Sequence, residues 1–184
     1  MENTNTAKKI KKRILWITIT GLFMAMNIVL SMSVFSIPVP GGHLYVNDIV
    51  IVLASVILDP IAAFMVGGVG AFLGDLLFYP APMFVSLVTH GLQAVVISLF
   101  SHYVLKKHPI VSSTIGVIIG GLIEVVGYSL GRAYFYGNKS WDIALVKLPF
   151  QFLQVAIGAV IGLLLCWAFR LKKIYDKNIG NQLY

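Results

Sequence analysis

Residues 43–77, HLYVNDIVIVLASVILDPIAAFMVGGVGAFLGDLL, decide the fold, because two apolar runs meet there at Asp59-Pro60. Proline is tolerated in the first turn of a helix and breaks a helix interior, so Asp59 is predicted to cap a helix that begins at Pro60. The second run contains one charge, Asp75, and a charge at membrane depth costs about 2.5–3.5 kcal/mol on insertion scales. The stretch therefore predicts a membrane hairpin whose acids have a partner or a function.

The composition of the whole chain agrees with a membrane protein. Hydrophobic residues make up 58% of the 184 residues and charged residues 11%, which is too apolar for the surface of a soluble domain. A net charge of +7 would suggest a nucleic-acid partner in a soluble protein, but here the basic residues cluster at the ends of apolar runs. The distribution therefore favours a membrane orientation signal and argues against nucleic-acid binding.

Cutting the chain at its polar breaks gives six apolar segments, at 14–36, 46–58, 60–79, 82–105, 110–135 and 143–169. Threaded alternately, they place both termini, the Asp59-Pro60 turn and Lys106-Lys107 on one side, which the positive-inside rule makes cytoplasmic. The second segment is short, but without it Lys106-Lys107 and the C-terminal basic cluster would lie outside.

The predicted fold class is therefore an all-α integral membrane protein, a bundle of six transmembrane helices with cytoplasmic N- and C-termini. Its predicted parts are a basic N-terminal segment (1–13), a six-helix substrate-binding domain (14–173) and a cytoplasmic tail (174–184).

Polar residues repeat at helical spacing in the last segments. Glu124, Tyr128 and Arg132 are four residues apart, and Lys147, Gln151 and Gln154 follow at four and three, so each set shares one helix face. Together with polar residues of the second to fourth segments, they are predicted to lie in the outer half of the bilayer. The candidate substrate-binding residues are Asn47, Asp75, His90, Gln93, Glu124, Tyr128, Arg132, Lys147 and Gln151.

An alternative assigns these charges to the scaffold. Glu124 would then pair with Lys147 or Arg132 on the neighbouring helix and hold the bundle together. Because no second His or Cys accompanies His90 at ligand spacing, no metal site is predicted, and no cofactor is expected. The chain contains no phosphate-binding loop, no G-x-S-x-G and no H-E-x-x-H, so an enzymatic activity is not predicted.

Small residues at a spacing of four predict close helix packing. Gly70 with Gly74, Gly116 with Gly120 and Gly158 with Gly162 each form a G-x-x-x-G step that lets two backbones approach. Gly21 and Ala25 make a similar step on the first helix, whose face has no neighbouring charge. That face is predicted to meet either a helix of this chain or another protein.

Several motifs resemble those of one family. The runs Pro40-Gly41-Gly42-His43-Leu44 with Asn47-Asp48, Asp59-Pro60, and Gly67-Gly68-Val69-Gly70-Ala71 with Gly74-Asp75 are similar to the signature of the substrate-binding S components of energy-coupling factor (ECF) vitamin transporters. The chain departs from that signature at Asn47 and Asp59, where the family has glycine. The motifs cover about a fifth of the chain.

The resemblance implies a mechanism and partners. Such proteins lie in the plasma membrane and bind a small vitamin on its outer side, under a loop of the protein. They associate with a transmembrane coupling subunit and two ATPase subunits. Small residues on the first helix contact the coupling subunit, and Gly21-Leu22-Phe23-Met24-Ala25 is similar to that motif. ATP hydrolysis is then expected in the partners, which explains why this chain has no phosphate loop.

The sequence indicates the family more clearly than it indicates which vitamin is bound. The closest resemblance is to the hydroxymethylpyrimidine and pyridoxine group, and a pocket with both charges and several aromatic residues suits a small planar heterocycle. Pantothenate is the second choice, because Lys147 or Arg132 could pair with its carboxylate. Thiamine, riboflavin and folate stay open, as does a different class, a membrane protein that only scaffolds others.

Overall fold

The computed structural model describes residues 2–136 and 139–183. Met1, Tyr184, and Gly137 and Asn138, which belong to a loop at 133–142 predicted from the sequence to face outward, lie outside the described residues. In order, the described chain forms α1 (Glu2–Leu30), a 3₁₀ turn (Ser33–Phe35), β1 (Ile37–Val39), β2 (Gly42–Leu44), α2 (Asp48–Ile57), α3 (Pro60–Phe78), α4 (Met83–Tyr103), α5 (Pro109–Tyr134), α6 (Trp141–Ala168) and a tail of short helical turns, α7 (171–183). The architecture is all-helical apart from one small hairpin.

Five helices in the described ranges are long and apolar enough to cross a membrane: α1 over Ala7–Leu30, α3, α4, α5 and α6. α2 has 10 residues, so it rises about 15 Å, half of the hydrocarbon thickness of about 30 Å. All α2 residues except Ile49 are buried, so α2 is a central helix enclosed by protein. The predicted all-α membrane fold is confirmed, whereas the sixth crossing stays a prediction.

α2 lies at the centre of the bundle. It packs against α4 and α6, while α4 packs along α5, and α5 along α6. α1 packs mainly against α3 and leaves much of its surface exposed, including Ile14, Ile17 and Leu22. The polar residues of α2, α4, α5 and α6 therefore face one another inside the bundle.

The turn between α2 and α3 has the predicted cap. The Asp59 carboxylate accepts hydrogen bonds from the backbone N–H groups of Ile61 and Ala62, and Pro60 occupies the first helical position. Asp59 also accepts a hydrogen bond from the indole of Trp16 at 2.6 Å. The cap thus ties the start of α3 to α1.

The three G-x-x-x-G steps pack as predicted, each against a different helix. A Cβ at Gly74 would lie 2.7 Å from Ser31 of α1, and one at Gly116 would lie 2.7 Å from Phe100 of α4. A Cβ at Gly158 would lie 2.5 Å from the Cβ of Asp48 in α2. Gly21 differs, because a Cβ there would have no described neighbour within 4 Å. Its helix face is therefore not covered by the described part of this chain.

Two segments differ from the boundaries predicted by the sequence. α1 begins at Glu2, inside the segment assigned to a basic N-terminus, and it ends at Leu30 instead of residue 36. The following loop contains the antiparallel hairpin β1–β2, which was not predicted. Pro40 and Gly41 form its two-residue turn. Gly41 and Gly42, the first residue of β2, have φ of 81° and 144°, conformations that side chains rarely permit.

Candidate functional site

Glu124 is the centre of a buried network that joins three helices. Its Oε1 accepts hydrogen bonds from Gln151 Nε2 at 2.8 Å and Gln154 Nε2 at 3.2 Å, and its Oε2 accepts one from Gln93 Nε2 at 2.9 Å. In the described residues Glu124 forms no ion pair with Lys147 or Arg132, so the pairing considered from the sequence is wrong. Amides, not cations, surround this carboxylate.

Asp48 and His90 extend the network towards α2 and α4. Asp48 Oδ2 accepts a hydrogen bond from Gln154 Nε2 at 2.8 Å, and its Oδ1 lies 3.7 Å from His90 Nδ1. His90 Nδ1 is also 2.6 Å from Gln93 Oε1. Because Gln93 donates its amide to Glu124, its oxygen faces the imidazole, and the ring nitrogen is the donor.

A second polar group joins α3, α4 and α5. Ser86 Oγ donates a hydrogen bond to Asp75 Oδ2, so the 2.5 Å contact between Ser86 Oγ and Tyr128 Oη has the tyrosine as donor. The Tyr128 ring also meets His90 edge to face, at 5.3 Å between ring centroids. This contact links the second group to the Glu124 network.

Arg132 lies between two tyrosines at the C-terminal end of α5. Its guanidinium carbon is 5.7 Å from the centroid of the Tyr128 ring and 5.8 Å from that of Tyr136. The same guanidinium donates to Gln151 Oε1 at 3.2 Å. These contacts fix a cation beside the network while leaving most of its donors available.

Lys147 supports the hairpin. It is fully buried, and its Nζ donates to the backbone oxygen of His43 at 2.5 Å. Gly41 also packs on this lysine, since a Cβ at Gly41 would lie 3.0 Å from Lys147 Cβ. Tyr45 N donates to Gln154 Oε1 at 3.0 Å, so the hairpin is attached to α6 at two points.

A small cavity of about 50 Å³ lies beneath the hairpin. Six of the predicted site residues line it: Asn47, Asp75, His90, Tyr128, Arg132 and Gln151. The other three predicted residues do not line the cavity. Gln93 and Glu124 lie in the network below it, and Lys147 lies behind the hairpin. The rest of the lining is Ser31, Gly41, Gly42, His43, Tyr45, Tyr79, Pro82, Tyr136 and Gln154.

Two polar atoms of the cavity lining are unpaired. Asn47 Oδ1 and Tyr136 Oη are buried and have no hydrogen-bond partner in the described residues. The other end of the Asn47 amide is held, since its Nδ2 donates to Asn27 Oδ1 at 3.0 Å. Buried polar atoms are nearly always paired, so both atoms are available to a bound molecule.

Two tyrosines outside the membrane-spanning segments keep their protons. Burial, reinforced by Asp75, raises the pKa of Tyr45 to about 12. Burial also raises the pKa of Tyr136, against the opposing effect of Arg132. Both phenols are therefore neutral hydrogen-bond donors at physiological pH.

The site contains residues that the sequence analysis did not assign to it. Asp48, Gln154 and Tyr136 are the main additions. Gln154 lies on the same helical stripe as Lys147 and Gln151, a signal that was available in the sequence. Tyr136 had no such signal, because its position depends on where the chain turns after α5.

The structure also brings together a set of metal-ligating groups. Asp48, His90 and Glu124 each offer one ligand atom, and these atoms lie within 4.8 Å of one another. Sequence spacing did not indicate a metal site, because the three residues come from different helices. Their side chains could hold a cation below the cavity.

Apolar helices that enclose a polar cavity near one end define a membrane protein that binds a small solute. Residues 11–171 match the family model described as "ECF-type riboflavin transporter, S component", and the chain belongs to this family. It is thus a multi-pass membrane protein and a vitamin-uptake subunit, and S components bind substrate without being enzymes. The predicted family of ECF S components is confirmed.

Two relatives extend the comparison. An uncharacterised protein from the gap 3′ region of Pyrococcus woesei is 30% identical over 128 residues, which cover 68% of this chain and 82% of the relative. A UPF0397 protein of Streptococcus gordonii is 26% identical over 155 residues, which cover 79% of this chain and 83% of that protein. Both matches cover two thirds or more of this chain.

Proposed function

We propose that this S component captures a single-ring vitamin or precursor, of the pyridoxine or hydroxymethylpyrimidine type, at the cavity beneath the β1–β2 hairpin. The observation that carries this proposal is the pair of unpaired buried atoms, Asn47 Oδ1 and Tyr136 Oη, in the cavity lining. A hydroxyl group of the ligand can donate a hydrogen bond to Asn47 Oδ1, and a ring nitrogen can accept one from Tyr136 Oη. An apolar ligand would leave both atoms unpaired.

The chemistry of the lining supports a planar, polar ligand. Arg132 provides a cationic donor, and Asp75 provides an acceptor on the opposite helix. His43, Tyr45 and Tyr79 bring aromatic rings to the mouth, with His43 6.2 Å from each tyrosine between ring centroids. Aromatic faces with polar groups at their edges suit an aromatic heterocycle that carries hydroxyl substituents.

The size of the cavity favours a small ring. A volume of about 50 Å³ accommodates only a few water molecules. Entry of any vitamin therefore requires the hairpin to shift, which means loosening the Lys147–His43 and Tyr45–Gln154 contacts. A single ring needs less displacement than a fused three-ring system.

Riboflavin is the second candidate, and the description of the matching family supports it. Its larger ring system would need the hairpin to move further from α6. Pantothenate remains a third possibility through Arg132, because Lys147 already donates to the His43 carbonyl and does not line the cavity.

The proposed working arrangement has six transmembrane helices with cytoplasmic termini and substrate capture from the outer side. Lys106-Lys107 and the basic tail support this orientation through the positive-inside rule. Release to the cytoplasm then requires a coupling subunit and two ATPase subunits. The uncovered face of α1 at Gly21 and Ala25 supports contact with the coupling subunit.

The test is a vitamin panel against the full chain in detergent, using native mass spectrometry for a retained molecule and calorimetry for affinity. Pyridoxine or hydroxymethylpyrimidine is expected to bind at least about 100-fold more tightly than riboflavin, a difference of about 2.7 kcal/mol. Tyr128→Phe should weaken binding, whereas Tyr103→Phe, at the exposed cytoplasmic end of α4, should not. Tightest binding of riboflavin would replace the first candidate, and no binding across the panel would favour a scaffold.

A further inference from the structure

Asp48, His90 and Glu124 form a compact cluster directly below the cavity. They come from α2, α4 and α5, and each residue is at most 2% exposed. One possible ligand atom from each residue lies within 4.8 Å of the other two. His90 also lines the cavity, so the cluster adjoins its floor.

The cluster places two carboxylates in a buried region without a compensating lysine or arginine. Among residues 2–136 and 139–183, neither Asp48 nor Glu124 pairs with Lys or Arg. Lys147 donates to His43, and Arg132 donates to Gln151 and to the Tyr128 carbonyl. Two buried carboxylates cannot both stay ionised at low cost unless a cation lies between them.

One oxygen of the cluster has no hydrogen bond. Asp48 Oδ1 is buried and has no hydrogen-bond partner in the described part of the chain, and His90 Nδ1 lies 3.7 Å from it. This separation is too long for a hydrogen bond. It is close to the separation of two ligand atoms that each bind one metal ion at about 2.0–2.2 Å.

The side chains are held in place by their neighbours. Three glutamines orient Glu124, and Gln154 bridges Glu124 and Asp48 through a single amide nitrogen. The α6 backbone at Gly158 abuts Asp48, because a Cβ there would lie 2.5 Å from Asp48 Cβ. Such support fixes carboxylate orientation, as outer-sphere partners do in metal sites.

We propose that Asp48, His90 and Glu124 bind one divalent transition-metal ion, of the Zn²⁺, Mn²⁺ or Co²⁺ class, beneath the cavity. An imidazole nitrogen with two carboxylates suits these ions better than Mg²⁺ or Ca²⁺, which prefer oxygen ligands. The ion takes the place of the Nδ1 proton that Gln93 Oε1 accepts at 2.6 Å, so the Gln93 oxygen shifts away from Nδ1 to leave room for it.

A metal ion fits this position better than the ammonium group of an organic ligand. His90, Gln151 and Gln154 line the cavity, whereas Asp48 and Glu124 do not. An organic cation would have to displace these three side chains, whereas a single ion is small enough to bind among ligand atoms that lie within 4.8 Å of one another. The inference is independent of the identity of the vitamin.

The experiment measures metal binding by untagged full-length protein in chelator-treated detergent buffer, without any vitamin. Calorimetry with Zn²⁺ and Mn²⁺ should give one site per chain, and Co²⁺ should develop visible absorption bands from bound imidazole and carboxylate. Zn²⁺ should also raise the unfolding temperature of the unsubstituted protein, a readout that needs no variant.

Matched variants separate this cluster from surface sites. His90→Gln and Asp48→Asn should each weaken Zn²⁺ binding at least about tenfold. His102→Gln, at the cytoplasmic end of the same helix α4, should leave it unchanged. Lack of stoichiometric binding by the unsubstituted protein, or equal binding by the protein and its His90→Gln variant, would overturn the inference.

Discussion

At the residue scale, Lys147 has a role that its place in a polar stripe did not indicate. The stripe suggested a charge facing substrate, but Lys147 is fully buried and donates to the His43 carbonyl at 2.5 Å. The hairpin is otherwise attached to α6 through Tyr45 N and Gln154. Lys147 therefore positions the hairpin over the cavity and does not itself line the cavity.

Replacement of this lysine should weaken substrate binding without unfolding the protein. Lys147→Met keeps the length of the side chain but removes a charge-assisted hydrogen bond worth about 1.5–3 kcal/mol. Because the hairpin then orders only on binding, Kd should rise roughly tenfold or more. Calorimetry with the bound vitamin measures the change, and Lys139→Met, at an exposed lysine of the loop between α5 and α6, is the control. Unchanged affinity would show that the lysine is only part of the scaffold.

The sequence predicts which residues form this site better than it predicts the hydrogen bonds among them. Helical spacing placed Glu124, Tyr128 and Arg132 on one face, and the structure brings that face to the cavity and its network. Spacing within one helix cannot tell which side chain of a neighbouring helix lies opposite. The glutamine partners of Glu124 and the proximity of Asp48 to His90 depend on helix packing, so they were missed.

At the scale of helices, close contacts at glycine determine how the bundle packs. Gly162 of α6 faces Val52 of α2, where a Cβ would lie 2.6 Å from Val52 Cγ1. Gly21 of α1 has no described atom within 4 Å of the same position. The two glycines are chemically identical but differ in their surroundings, which makes them a matched pair.

Alanine at these two positions should change stability in opposite directions. Gly162→Ala overpacks the α2–α6 contact and should cost about 1–3 kcal/mol. Gly21→Ala adds a methyl group to an open helix face and should be neutral or stabilise by up to about 1 kcal/mol. Thermal unfolding of the isolated chain in detergent measures both. Equal unfolding temperatures would contradict the packing seen at Gly162.

Elements differ in how far the sequence determines them. The Asp59-Pro60 boundary was predictable, because a cap and a first-turn proline act locally. The hairpin β1–β2 was not, since three-residue strands carry little periodicity and need the support of α6. α2 was predicted as a membrane span from its apolar run, but its 10 residues are enclosed by other helices, which removes the need for a full hydrophobic length.

At the scale of the whole molecule, the path of α2 decides whether the chain crosses the membrane six times. Val34, before α2, and Ile61, after it, are both exposed, at 81% and 70%. In a Cys166→Ser background, Val34→Cys should react with a membrane-impermeant maleimide on intact cells. Ile61→Cys and Lys107→Cys should react only after permeabilisation. Labelling of Ile61→Cys from outside would exclude a crossing by α2.

Assembly with partner subunits should depend on the uncovered face of α1. Gly21 and Ala25 lie on a helix whose surface is largely exposed in the isolated chain, and small residues there allow a partner helix to approach closely.

Gly21→Leu would fill that surface, and its Cβ would meet no described residue of this chain within 4 Å, so substrate affinity should stay unchanged and the unfolding temperature should not fall. Co-purification of the coupling subunit and ATPases should fall several-fold, whereas Gly21→Ala, which keeps the residue small, should retain them. Full retention of the partner subunits by Gly21→Leu would show that the partner interface lies on another face. A parallel loss of substrate binding would show that α1 supports the site itself.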